Sequence, residues 1–123
     1  MRRPIKYQII KLKITGVGSF PINAETDKAY KLVTGVHYSS SDQVALKDTE
    51  FGKLEIDSNE IFGQGHEVKM ITTGEDVPPD NRYYTLNERA EGTTIAGSII
   101  DAGNAAVYPY NARIYLRLEN PLT

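Results

Sequence analysis

No cysteine and no tryptophan occur among the 123 residues. The missing cysteine excludes a disulfide framework, a thiolate metal site and a cysteine nucleophile. No run approaches the roughly 18 consecutive apolar residues of a membrane-spanning helix. The opening Met1-Arg2-Arg3-Pro4-Ile5-Lys6 has the charge of a secretory leader, but Lys6, Gln8, Lys11 and Lys13 interrupt the apolar stretch that should follow. The expectation is a soluble chain made in the cytoplasm, with neither signal peptide nor transmembrane segment. No Asn-x-Ser/Thr sequon is present, so nothing points to a glycosylated secretory product. Val, Ile, Thr, Tyr and Phe make up 40 residues, far more strand-favouring material than disordered chains carry. The length suits one core and is short for two ordinary domains.

Acid is absent from the first 24 residues. Arg2, Arg3, Lys6, Lys11 and Lys13 give positions 1–13 a charge of +5, while the remaining 110 residues hold nine basic and sixteen acidic side chains. A basic arm on an acidic body is a recognisable asymmetry. The arm could touch nucleic acid, although Arg-Gly repeats and interleaved aromatics are missing. It could instead lie on the acidic body of a neighbouring copy. The plainest reading is a charged strand edge that discourages aggregation.

Apolar periodicity predicts strands from end to end. In segment 5–14, Ile5, Tyr7 and Ile9 share one face, and Ile10, Leu12 and Ile14 share the other. A period of two forbids such a switch in a regular half-buried strand, so a bulge or a change of sheet is expected at Ile9–Ile10. Further strands are expected over a short piece at Phe20-Pro21-Ile22, then at Ala29–Tyr38, around Val44 and Leu46, and at Phe51–Asp57, His66–Thr72, Arg82–Leu86, Thr93–Asp101 and Val107–Glu119. Turns are expected at Ser39–Asp42, Asp57–Asn59 and Ala102–Asn104, and a loop at Val77–Asn81, whose paired prolines cannot join a ladder. Thr85–Ala90 could form one helical turn. The expected core includes Leu32, Val36, Leu54, Ile56, Val68, Met70, Ile114, Leu116 and Leu118. Short strands at roughly ten-residue spacing predict an all-β antiparallel β-sandwich, and a count near eight favours an eight-stranded jelly roll. Residues 1–14 form the basic extended arm and first strand, and residues 15–123 a single sandwich domain.

Catalytic and metal constellations do not emerge from the spacing. His37 and His66 have no His partner two positions away, and no third histidine exists. Asp57-Ser-Asn-Glu-Ile-Phe-Gly starts like a calcium loop, but Ile61 occupies the fifth position and the glycine falls one place late. Gly16-Val-Gly18 and Gly63-Gln-Gly65 open no helix, which removes the phosphate-cradle reading. No serine stands in Gly-x-Ser-x-Gly. The expectation is no catalytic residue, no cofactor and no metal, hence no enzyme.

The most informative stretch is Val107–Pro121. Ala112, Ile114, Leu116 and Leu118 alternate without error against Arg113, Tyr115, Arg117 and Glu119. The second set has the composition that contact surfaces prefer, and equally that of a solvent face meeting acids on neighbouring strands. A basic extended arm, about eight strands, the Gly63–His66 turn pattern and a long final strand entered by Tyr108-Pro-Tyr110 and left by Asn120-Pro121 resemble the small single jelly-roll virion proteins. These are capsid, penton or auxiliary head proteins of bacteriophages and other viruses. The resemblance covers most of the chain as architecture but only about fifteen residues as motif. It implies a virion structural protein of minor capsid, penton/vertex or decoration type, assembled in the host cytoplasm. Its partners would be other copies of itself and other virion proteins. The interface candidates are Arg2, Arg3, Ile5, Lys6, Tyr7, Ile9, Arg113, Tyr115 and Arg117. Residues 1–9 are expected to leave their own sandwich and lie on a neighbour, because the trio Ile5, Tyr7 and Ile9 cannot share the core of Ile10, Leu12 and Ile14. The alternative is a small β-sandwich binding module that offers tyrosines, among them Tyr83, Tyr84, Tyr108 and Tyr110, to a carbohydrate or peptide.

Overall fold

The computed structural model describes residues 5–41, 48–71, 84–105 and 107–120, without the side chains of Lys69, Met70 and Tyr84. Nine strands occur among the described residues: β1 (Ile5–Ile14), β2 (Gly18–Glu25), β3 (Leu32–Ser40), β4 (Glu50–Ile56), β5 (Asn59–Phe62), β6 (His66–Glu67), β7 (Tyr84–Arg89), β8 (Thr94–Asp101) and β9 (Tyr110–Glu119). They form two antiparallel sheets. Sheet A has the order β1-β9-β3-β7, and sheet B has β2-β8-β4-β5 with β6 beside β4. The expected all-β antiparallel sandwich is the observed architecture.

The core lies between the two inner faces. Sheet A contributes Ile10, Ile14, Val33, Val36, Tyr38, Ala112, Ile114, Leu116 and Leu118; sheet B contributes Ile22, Phe51, Leu54, Ile56, Phe62, Ile95 and Ile99. The ring of Phe51 stacks on Phe62 at 5.1 Å and meets the edge of Tyr38 at 6.5 Å across the sandwich. Leu54, Ile56 and the alternation of β9 behave as their pattern predicts. The β4–β5 connection has two central residues, Asp57 (φ 54°) and Ser58 (φ 64°), a pairing of positive φ values that matches the twist of the flanking strands.

Several expectations are corrected by the ladder partners. β1 has neither a bulge nor a change of sheet: it pairs with β9 in unbroken register from Ile5↔Glu119 to Ile14↔Tyr110. Residues 5–9 therefore stay on their own sandwich rather than crossing to a neighbour. The inward side of this half carries Lys6 and Gln8. The Gln8 amide donates to the Glu25 carbonyl (2.7 Å) and accepts from the Asp27 N–H (3.1 Å), while Lys6 reaches the Asp27 carboxylate at 2.5 Å. Polar anchors thus occupy the inner side where the core ends, and the apolar trio points outward. Residues 1–4, with Arg2 and Arg3, lie outside the described residues.

In β3 the register shifts between Val33 and Gly35. The bulge puts both Val33 and Val36 in the core and leaves Leu32 only half-buried. β3 also runs through Ser39 and Ser40, which continue the pairing with Arg113 and Ala112 where a turn was expected. The strand expected at His66–Thr72 shortens to β6, and a 3-10 turn follows at Val68–Ile71. Val68 and Ile71, three apart and so on one side of such a turn, are both buried. The side chain of Met70, expected in the core, lies outside the description. Residues 84–89 form β7 rather than a helical turn, because they hydrogen-bond along β3. The short piece at Phe20–Ile22 extends to all of β2, an edge strand that tolerates Pro21. Val44, Leu46, Val77–Asn81 and Arg82 lie outside the described residues.

At Gly97 a side chain has no room. Its φ is 150°, and a Cβ there would sit 1.9 Å from the Lys53 carbonyl oxygen, beside the register shift of β4 between Phe51 and Lys53. Urea denaturation should therefore show Gly97→Ala less stable than the parent by more than about 1 kcal/mol. Leu116→Ala should lose about 2–5 kcal/mol. A Leu116→Ala loss under about 0.5 kcal/mol, the range of surface substitutions, would put the wrong face of β9 in the core.

Candidate contact surface

The residues opposite the core on sheet A form one continuous face. On β1 these are Ile5, Tyr7, Ile9, Lys11 and Lys13; on β9 they are Asn111, Arg113, Tyr115, Arg117 and Glu119. The register sets Tyr7 opposite Arg117, Ile9 opposite Tyr115 and Lys11 opposite Arg113, and on the far side of β9 it sets His37 beside Tyr115 and Ser39 beside Arg113. The His37 and Tyr115 rings are 6.2 Å apart. Ile5, Tyr7 and Ile9 remain 47%, 45% and 46% exposed, high for three large apolar side chains in a row on a regular strand. At the other end, Lys11, Lys13, Asn111 and Arg113 line a shallow depression of about 220 Å³. The face is thus apolar at one end and cationic at the other.

Six interface candidates come together here: Ile5, Tyr7, Ile9, Arg113, Tyr115 and Arg117. Lys6 does not join them. It points to the other side of β1; the hydrogen bond and then the charge of Asp27 hold its ammonium above the ordinary lysine range, and the hydrogen bonds from Lys6 and then the Ala29 N–H hold the Asp27 carboxyl below its own. Arg117 faces outward but is taken up by the β3 bulge: its Nε donates to Thr34 Oγ1 (3.0 Å), its Nη2 donates to the Thr34 carbonyl (3.1 Å), and Glu119 lies 3.8 Å away. Glu119 itself is buried, not on a solvent face. Lys11, Lys13 and His37 belong to the face and were not among the candidates. Lys11 and Lys13 have the same parity as Ile9, so treating segment 5–14 as one regular strand would have found them.

The Tyr108-Pro-Tyr110 entry to β9 has a structural task. Asp101, buried at the end of β8, accepts hydrogen bonds from the Tyr108 hydroxyl (2.5 Å), the Tyr110 hydroxyl (2.6 Å) and the Gly103 N–H (3.0 Å). Burial, and then the bond to Asp101, push the Tyr110 phenol far above its ordinary range; burial, and then the Asp101 charge, do the same for Tyr38. Tyr110 is therefore closed to ligand stacking. His66 packs its ring on Phe62 at 4.1 Å and near Phe51 at 6.2 Å. Among the described residues, no group of three or more histidines and carboxylates could hold a metal, and no helix is long and apolar enough to cross a membrane.

No protein-family model, no curated protein and no solved structure matches this chain.

Two outcomes follow from these contacts. A phenol whose pKa is raised in the native state adds stability below its unfolded value of 10.0, and that stability is lost as pH rises beyond it. In a titration followed at 295 nm, Tyr38 and Tyr110 should ionise only together with the loss of the far-ultraviolet strand signal; ionisation of all eight tyrosines in a folded chain would contradict this. Separately, Arg117→Ala should destabilise the fold by about 1–3 kcal/mol through its lost hydrogen bonds, whereas Arg113→Ala should stay within about 0.5 kcal/mol of the parent.

Proposed function

We propose that this chain is a structural subunit that works through subunit–subunit contacts, of the minor capsid, penton/vertex or decoration type found in virions. The observation that carries the reading is the outer face of sheet A, where three exposed apolar side chains stand beside Tyr115, Arg113 and the two lysines. Contiguous exposed apolar groups mixed with aromatic and arginine side chains mark contact surfaces rather than ordinary solvent faces. The jelly-roll reading belongs with this proposal. The pairings β1·β9, β2·β8, β3·β7 and β4·β5 are nested about the β4–β5 hairpin, as in one long hairpin rolled so that its halves fall on two sheets. Eight strands take part, with β6 as a two-residue addition, and viral capsid domains are among the proteins built this way. Binding modules share the architecture, and fold alone does not fix function. What favours assembly is the placement of the exposed groups: Ile5, Tyr7 and Ile9 follow one another along the outer side of an edge strand, whereas a small-molecule site would enclose them in a cleft.

Sedimentation velocity tests the proposal. The parent chain should form an oligomer at low salt and dissociate at high salt. Replacing Ile5, Tyr7 and Ile9 together by Ser should leave a monomer whose denaturation midpoint is unchanged. A parent chain that stays monomeric at every salt and protein concentration would refute the assembly role.

A further inference from the structure

We infer that the outer faces of the two sheets are the two halves of one contact, so that sheet A of one copy docks on sheet B of a second copy. This rests on the assembly role proposed above and names its partner. Strand alternation settles which side chains point away from the core. On β1 and β9 of sheet A the outward side carries Lys11, Lys13 and Arg113, with Arg117 held by Thr34 and Glu119 buried beside it. On sheet B, the burial of Ile22, Phe51 and Leu54 turns Glu25, Glu50 and Glu55 outward, and the ladder sets Glu60 opposite Glu55, after a register shift, and Glu67 opposite Glu50; Lys53 is the one cation on that face among the described residues. One side of the sandwich is cationic and the other is acidic.

The ladder sharpens this polarity. Glu55 stands directly opposite Glu60, and Glu50 opposite Glu67; on sheet A, Lys11 stands opposite Arg113. Like charges in such positions destabilise a sheet. Lys53 pairs with Glu55, which offsets part of the repulsion on sheet B from within. The two faces look in opposite directions, so no copy can bring its own sheet A to its own sheet B. Two copies can. Each face also carries apolar surface: Ile5, Tyr7 and Ile9 on sheet A, and Pro21, Ala96 and Ile100 on sheet B. The four strands of sheet A average about nine residues, so the face measures roughly 29 Å by 19 Å, or about 550 Å², of the order of the ~800 Å² per partner in stable complexes. A symmetric contact of sheet A with itself would set its cationic end either on its own copy or on the apolar trio, and in neither orientation would Lys11, Lys13 and Arg113 meet an acid, which complementary interfaces provide. The contact is therefore head-to-tail and repeats into a ring or a filament.

Charge reversal on each face, alone and mixed, tests the inference. Lys11→Glu, Lys13→Glu and Arg113→Glu together turn sheet A from cationic to acidic; Glu25→Lys, Glu50→Lys and Glu60→Lys together turn sheet B from acidic to cationic. In sedimentation velocity at low salt, each triple variant alone should assemble only at a concentration about a hundredfold above the parent. An equimolar mixture should recover assembly to within about tenfold of the parent, since each reversed face then finds its opposite. Rescue also requires both variants to be folded, and circular dichroism checks each one. Where a reversal unfolds the chain, Gln at the same positions should weaken assembly in the same direction on both faces. Assembly unaffected by the sheet B changes, or a mixture without rescue, overturns this inference and leaves the assembly role standing. A monomeric parent removes both. Binding of single-stranded DNA by the parent, lost on reversing sheet A while self-association persists, would show that nucleic acid is the occupant and would also overturn it.

Discussion

The pairing of β1 with β9 along all ten residues is the constraint on which the rest of the structure depends. β9 lies between β1 and β3 in sheet A, so its register fixes two neighbours at once. A slip of one residue would carry Ala112, Ile114, Leu116 and Leu118 out of the core and bury Arg113, Tyr115 and Arg117. With that register set, Ile10 and Ile14 are drawn into the core, and Ile5, Tyr7 and Ile9 have nowhere to point but outward. The exposed trio is thus a consequence of ladder geometry and not of a segment that lacks a place in the fold.

Where the apolar core ends, polar side chains fasten the strand ends to loops. Gln8 holds the chain between Glu25 and Asp27. Asn120 accepts from the Lys31 N–H and donates to the Ala29 carbonyl, each at 2.9 Å, continuing the ladder just past β9. Thr26 and Thr93 exchange backbone and hydroxyl bonds that tie the end of β2 to the start of β8, and Asp101 ties the end of β8 to the start of β9. Buried polar groups require such partners, and a missing one costs about 1–3 kcal/mol. Such bonds also withdraw residues from intermolecular work: Lys6, Arg117 and Tyr110 each serve the fold. What remains on the outer face of sheet A is the apolar trio, Tyr115, Arg113 and the lysines.

The division of charge between the two outer faces follows from topology. Lys11 and Lys13 stand on the outer face of sheet A because β1 is its edge strand, and β9 adds Arg113 beside them. The acids of residues 50–67 fall on sheet B because β4, β5 and β6 are all there. A net charge of −2 therefore conceals a sandwich with two oppositely charged sides. Such a molecule resists face-to-face contact of like faces and favours contact of unlike ones.

The all-β character, most of the strands, the Asp57–Ser58 turn and the alternation of β9 were legible in the sequence, because a period of two and short turn residues are local properties of the chain. The outer face of β9 was legible for the same reason. The local pattern failed where a partner strand or a polar anchor decided the outcome. Leu32 looked inward until the bulge at Thr34, held by Arg117, shifted the phase of β3. Val68 and Ile71 looked like opposite faces of a strand, but a 3-10 turn put both in the core. The change of apolar face at Ile9–Ile10 looked like a break, yet hydrogen bonds from Gln8 and Lys6 to residues 25–27 keep β1 regular. Those residues lie 17 to 21 positions away, beyond what any local period can encode. Sequence by itself determined which side chains could share a face; tertiary structure decided which face met the core, because only the ladder partner and the long-range hydrogen bonds set the phase.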